Sequence, residues 1–323
     1  MALTEEGIIQ VPGMYSRWVR LASGARAHYM TSGETGPAVV LLHGGLPGSS
    51  GTAGWRLMAP YLGAQGFRVY CPDLPGFGLA DNREEYWPTG PESHVDFVHE
   101  FVTALCLDRF HIAGNSMGAA ATANYVVAHP ERVISFALIA GSVGDIVEGA
   151  VPLKDGLGVP QYDGTRESMR AMLEAILYRP ERITDDLLTM RHQAAERQKE
   201  SCKSFFKRFP MYLGRAPWDD ESIAARLSTK GRLNRLTIPG IYLYGKEDIL
   251  SSIESGYEQE DALPNVQFFY PEECGHQGQT DQPEMFNQVF AEFFGKGQIS
   301  RKTADWAGVS KRRPENPAIV EQV

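Results

Sequence analysis

Residues Phe110-His111-Ile112-Ala113-Gly114-Asn115-Ser116-Met117-Gly118-Ala119-Ala120-Ala121 read as a short apolar strand, a sharp turn and a helix, and no other stretch restricts the fold as much. The turn carries a serine. In a Gly-x-Ser-x-Gly that joins strand to helix, the serine sits at a strained backbone angle with its hydroxyl above the sheet. Gly114 and Gly118 leave room where strand and helix come too close for a Cβ. As a bare pentad the pattern is weak, with about one chance occurrence in ten chains of this length at ordinary glycine and serine usage. Its surroundings carry it: Phe110, Ile112 and Ala113 form a buried-strand run, and Ala119 to Ala128 is rich in helix formers and stops before Pro130.

The rest of the chain extends the same theme. Arg17 to Leu21 and Arg26 to Thr31 flank an Ala22-Ser23-Gly24 turn and read as an antiparallel hairpin at a sheet edge. Val39 to Leu42 and Arg68 to Cys71 are continuous runs of the kind buried on both faces, with a helix expected from Trp55 to Leu62 between them. The series continues through Phe110 to Ala113, Phe136 to Ala140, Ile241 to Tyr244 and Gln267 to Tyr270. Strand, helix, strand order with right-handed crossovers builds a doubly wound, mostly parallel sheet, here of about eight strands. In such α/β sheets ligands bind beyond the carboxyl ends of the strands.

Between Ser142 and Leu236 the alternation stops for longer than a crossover needs. Met169, Met172, Leu173, Ile176 and Leu177 make one apolar helical stripe, and Thr184 is placed to cap a second helix with Asp185 and Asp186 in its first turn. This segment is expected to form a helical lid. The expected organisation is a core over residues 1–143, a lid over 144–236, a second core part over 237–295 and a tail over 296–323. The tail is polar, with Gly295 and Gly297 at its start and Lys311-Arg312-Arg313-Pro314 near its end, and reads as a partly ordered, flexible end. Trp306 within it leaves open packing on the body or on a second subunit, and hence a homo-oligomer.

The net charge of −9 argues against nucleic acid or an anionic membrane surface as a partner. The first residues lack the basic start and apolar core of a signal peptide, and no apolar run approaches the roughly 20 residues of a spanning helix, so a cytoplasmic location is the expectation. The cysteines at 71, 106, 202 and 274 show no paired spacing; Cys274, close to His276, reads as a small buried residue. His94 and His99 are not spaced to share a helix face, and no metal or other cofactor is expected.

A serine hydroxyl needs a base in reach and a third group to orient that base. Gly245-Lys246-Glu247-Asp248 follows one strand and Glu272-Glu273-Cys274-Gly275-His276 follows the next, so Asp248 and His276 fall at the sheet edge of Ser116 in the order Ser, Asp, His. His111 lies inside a strand and His129 closes a helix, so neither competes. A tetrahedral oxyanion needs two preorganised N–H groups, and Met117 and Gly45 are placed to supply them, the latter in the loop His43-Gly44-Gly45-Leu46-Pro47-Gly48.

With these residues in place, the chain resembles the α/β-hydrolases, and among them the meta-cleavage product hydrolases, which cut a carbon-carbon bond in ring-fission products of aromatic compounds. The likeness runs over most of the chain to Phe294. It rests on His43-Gly44-Gly45 with Pro47-Gly48, Asp73-Leu74-Pro75-Gly76-Phe77-Gly78, Gly114-Asn115-Ser116-Met117-Gly118, Gly245-Lys246-Glu247-Asp248 and Gly275-His276. The resemblance implies that Asn115 and the lid residue Arg191 hold the carboxylate-bearing part of a substrate, and that Gly44, Leu46 and Gln277 border it. Two positions depart from the family: Leu46 stands where a third glycine is usual, and Gln277 where a tryptophan follows the catalytic histidine. Those departures and the unusual tail turn the expectation toward the similar mono-alkyl phthalate ester hydrolases. The expected activity is therefore a serine carboxylesterase acting on a hydrophobic acid ester, with the carbon-carbon hydrolase as the alternative. A ligand-binding member of the fold without activity is a remote third.

Overall fold

The structure is a computed structural model that describes residues 2–83, 85–87, 91–141, 158–201, 220–316 and 318–323. The expected hairpin is β1 (Tyr15–Arg20) and β2 (Arg26–Ser32), in register from Tyr15 opposite Thr31 to Arg20 opposite Arg26. Then come β3 (Ala38–Leu42), α1 (Gly51–Trp55), α2 (Met58–Ala64), β4 (Arg68–Pro72), α3 (Pro91–Ala104), β5 (Phe110–Asn115), α4 (Met117–Ala128) and β6 (Val133–Ile139). The segment expected as a lid gives α5 (Arg166–Ile176), α6 (Asp185–Arg197) and α7 (Glu221–Leu227). The core resumes with β7 (Gly240–Leu243), α8 (Ile253–Ala262), β8 (Val266–Phe269), α9 (Gly278–Asp281) and α10 (Pro283–Lys296). The tail adds β9 (Ile299–Ser300), α11 (Arg301–Trp306) and β10 (Ile319–Val320).

Eight strands form one sheet in the order β1-β2-β4-β3-β5-β6-β7-β8, antiparallel at the β1 edge and parallel from β4 to β8. The alternation of side chains along each strand explains the two cores. Val39 and Leu41 enter one cluster with α1, α2 and α10, while Val40 and Leu42 enter the other with α3 and α4. The helix expected from Trp55 to Leu62 is two helices instead. Ser50 caps the first, accepting the Ala53 N–H at 3.1 Å, and Pro60 has no N–H for the Arg56 carbonyl, so the chain breaks at Arg56 and Leu57.

In the segment expected as a lid, Met169, Met172, Leu173, Ile176 and Leu177 are all buried, in the same cluster as β3, β5 and β6. Thr184 caps α6 by accepting the Leu187 N–H at 3.2 Å. Parts of the expected lid, residues 144–157 and 202–219, lie outside the described residues, as does Cys202.

The tail departs from the expected flexible end. Ile299, Ala304, Ala307 and Val309 are buried, and the tail runs along the open edge of β8: Tyr270 N–H donates to Gly308 at 2.7 Å and Ser310 N–H to Phe268 at 2.9 Å. No helix among the described residues is long and apolar enough to cross a membrane.

Candidate active site

The elbow forms because strand and helix cross in close contact. A Cβ on Gly114 would lie 2.0 Å from the Gly118 carbonyl oxygen, and one on Gly118 would lie 2.2 Å from that of Leu42, so both positions exclude a side chain. Ser116, at the turn, has φ 57° and ψ −118°, a left-handed conformation that costs a non-glycine residue about 1–3 kcal/mol and is held by its N–H donating to Ile139 at 2.9 Å. Strain of this kind aims the hydroxyl away from the helix that follows.

Asp248 follows β7 and His276 follows β8, as expected from the strand ends. His276 Nδ1 lies 2.8 Å from Asp248 Oδ2, and the other carboxylate oxygen accepts the Leu250 N–H at 2.9 Å. Nδ1 therefore carries the proton and Nε2 is left as the basic nitrogen. Among the described residues that Nε2 is buried with no hydrogen bond, the state a general base needs before its substrate arrives. His276 reaches the Ser116 side of the sheet through Asn115, whose amide nitrogen donates to the carbonyls of His276 at 3.0 Å and Ile139 at 3.2 Å. Both amide hydrogens of Asn115 are thus taken by main chain, and this residue ties the elbow to the loop of the base.

The loop after β3 lies against the serine. A Cβ on Gly44 would be 3.5 Å from Ser116 Cβ. Among the described residues, no hydrogen bond takes up the N–H of Gly45 or of Met117, the first residue of α4, and both can donate to an oxyanion. His43 fixes this loop. Its Nε2 accepts the Leu74 N–H at 3.0 Å, so its Nδ1 holds the proton and donates to the Gly44 carbonyl at 2.7 Å. Burial holds the His43 pKa below the usual histidine value, which keeps the ring neutral in that role. Leu46 is half-buried on the core that also contains α6.

Arg191, on α6, is 2% exposed and its Nη1 donates to Ser49 Oγ at 2.8 Å. The helix reaches the loop because Gly48, at φ +77°, has no side chain: a Cβ there would meet the Arg191 carbonyl oxygen at 2.0 Å. A buried guanidinium is therefore delivered to the same loop that borders Ser116. Gln277 follows His276 and is 6% exposed. Cys274 is buried, and burial pushes its thiol well above the usual range, consistent with a packing residue. Among the described residues no group of three His, Cys, Asp or Glu side chains is arranged to hold a metal ion.

Three residues of the site were not anticipated from sequence: Ser49, His43 as the brace of its own loop, and Asp281, which binds the main chain beside His276. An acid shortly before Pro283 reads in sequence only as the cap of a helix, and Ser49 only as part of a turn.

A family model described as the alpha/beta hydrolase fold matches residues 37–283. The chain is 27% identical over 289 residues to a 2-hydroxy-6-oxononadienedioate/2-hydroxy-6-oxononatrienedioate hydrolase of Paraburkholderia phymatum, covering 87% of this chain and 96% of the relative. It is 28% identical to a 2-hydroxy-6-oxo-6-phenylhexa-2,4-dienoate hydrolase of Burkholderia cepacia, covering 85% and 93%. A solved meta-cleavage product hydrolase from Pseudomonas fluorescens superposes with a TM-score of 0.71 at 29% identity, covering 87% of this chain and 98% of that one.

Proposed function

This chain belongs to the α/β-hydrolase fold family, and on that premise we propose that it is a serine hydrolase of carboxylate-bearing 6-oxo-dienoates, cleaving the carbon-carbon bond beside the ketone. The observation that carries the reading is Arg191: a guanidinium 2% exposed, lodged against the loop that borders Ser116, favours a substrate with a carboxylate at one end and a reactive carbonyl at the other. The relatives' names describe molecules with a ketone at carbon 6 and a carboxylate, two carboxylates in the dioate. They move this reading ahead of the ester expected from the sequence.

In the proposed reaction the dienol first isomerises, losing its 2-hydroxyl proton as carbon 5 gains one, and becomes a 2-oxo, 6-oxo compound. Ser116 Oγ adds to the carbon 6 carbonyl as His276 Nε2 accepts its proton, and the oxyanion is met by the N–H groups of Gly45 and Met117. The bond between carbons 5 and 6 then breaks, its electron pair leaving as an enolate delocalised to the 2-oxo group that takes up the proton held on His276 Nε2 as it departs. Water, deprotonated by His276, releases the acyl group from Ser116 as a carboxylic acid.

Gln277 favours a second reading, the hydrolysis of a mono-alkyl phthalate. A buried amide directly after the base suits an oxygen-rich substrate better than an aromatic wall would, and the carboxylate beside the ester would use Arg191 in the same way. The test is kcat/KM for a phenyl-substituted ring-fission dienoate, a mono-alkyl phthalate and its dialkyl ester, side by side. Preference for the dienoate supports the first reading, preference for the monoester moves the protein to the second, and preference for the neutral diester sinks the carboxylate requirement of both. Ser116→Ala is expected to lower turnover on the preferred substrate by about 10⁴-fold or more.

A further inference from the structure

Asp281 closes α9, is fully buried, and spends its carboxylate on three main-chain amides from two distant parts of the chain. Oδ2 accepts the N–H of Gly275 at 2.8 Å and of Tyr178 at 3.2 Å, and Oδ1 accepts the N–H of Arg179 at 3.0 Å. Gly275 precedes the base, while Tyr178 and Arg179 follow the lid helix α5. The same two segments are joined again where the His276 N–H donates to the Ile176 carbonyl at 2.8 Å. They are in close contact, since a Cβ on Gly275 would fall 2.7 Å from the Ile176 carbonyl oxygen and 3.0 Å from the Tyr178 nitrogen.

These contacts fix the backbone under the imidazole from several sides. The His276 N–H is held by the lid, its carbonyl by Asn115, and the residue before it by Asp281. The Nδ1–H bond to Asp248 then sets only the rotation of the ring. Burying a carboxylate is costly, and burial pushes the Asp281 carboxyl up from the ordinary range against the three amides and the Arg179 charge that draw it down. Such a group could have been replaced by an apolar residue if it only filled space.

We propose that Asp281 is a positioning residue that joins the lid segment 176–179 to the loop carrying the catalytic base, so that the aim of His276 depends on that segment being seated. The inference rests on the reading of Ser116 and His276 as nucleophile and base. Asp281→Asn is close in shape but replaces one accepting oxygen with an N–H₂ group that faces a main-chain N–H.

The experiment compares wild type and Asp281→Asn in two assays: the rate at which a fluorophosphonate labels Ser116, and the hydrolysis of p-nitrophenyl acetate. The expected result is a labelling rate and a kcat both lower by roughly 10- to 100-fold, with KM little changed, because the reacting groups are misaligned while binding is not. A folded variant that labels at the wild-type rate overturns the inference, and a wild type that does not label overturns both it and the base assignment beneath it. A measurement on wild type alone gives a second arm: hydrogen exchange of peptides covering 174–180 and 273–277. Common protection of the two peptides, and opening in one step, supports the coupling; a lid peptide that exchanges while the His276 peptide stays protected overturns it.

Discussion

On the proposed function, Arg191 is the residue at which folding and substrate choice meet. Its guanidinium is 2% exposed and held against Ser49, and a planar carboxylate matches the donor geometry of such a group best. Arg191→Ala is expected to raise KM for an acidic substrate by roughly 100-fold and for a neutral ester of similar size by only a few-fold, with the difference read from kcat/KM on the two. Equal losses on both substrates would remove Arg191 from the binding site. Residues of this kind differ in how plainly the sequence announces them. Ser116, Asp248 and His276 each stand just past a strand, so a local pattern places all three at one sheet edge. Asp281 announces nothing, because its partners Tyr178 and Arg179 are far away in sequence and only the fold brings them to it. Asn115 lies between these cases: its position was legible, but the use of its amide on the Ile139 and His276 carbonyls depends on two neighbouring elements.

At the scale of elements, the site depends on the crossing of α4 over β3 and β5. Gly118 marks the face toward β3 and its loop, where an added Cβ would come within 2.2 Å of the Leu42 oxygen and 2.7 Å of the His43 oxygen. Both are backbone atoms, so relief requires a shift of the strand end and of the loop that bears Gly45. Gly118→Ala is expected to cost about 1–3 kcal/mol, seen as a lower urea midpoint, and to reduce kcat at the same time. Gly295→Ala is the comparison. It also lies in a helix, α10, but its nearest contact is Phe67 Cζ at 3.7 Å, so it should gain up to about 1 kcal/mol from helix propensity and leave kcat alone. Similar losses from the two changes would show that the crossing is not what limits Gly118. The same crossing explains why the core strands were readable: runs buried on both faces carry their own signature. The break between α1 and α2 was equally local, since Pro60 forbids a continuous helix, but the apolar content of Trp55 to Leu62 masked it.

For the whole molecule, the tail is bound to the body through a buried acid and a strand edge. Glu260, on α8, is fully buried, and its carboxylate is met by Tyr270 Oη at 2.8 Å and by two tail residues, Arg312 Nη1 at 3.1 Å and Arg313 Nε at 3.4 Å. Arg313 also donates to the carbonyls of Glu260 at 2.8 Å, Leu263 at 3.0 Å and Val266, at the end of α8 and the start of β8. None of this is visible in a polar segment with glycines, prolines and a basic cluster, because its order comes from a buried acid and an open strand edge elsewhere in the chain. Removing residues 297–323 therefore strips the cations from Glu260 and uncovers β8 together. Loss of a buried charge's partners costs about 3–5 kcal/mol, and an uncovered edge strand pairs with other chains. The truncated protein is expected to unfold at a clearly lower urea concentration and to gain mass with rising concentration in light scattering, relative to the full chain. Arg313→Ala should reproduce part of the stability loss without the gain in mass, since Gly308 and Ser310 still cover the edge. A truncated chain with the original midpoint and unchanged mass would return the tail to a dispensable appendage, and the burial of Glu260 would then need another compensation.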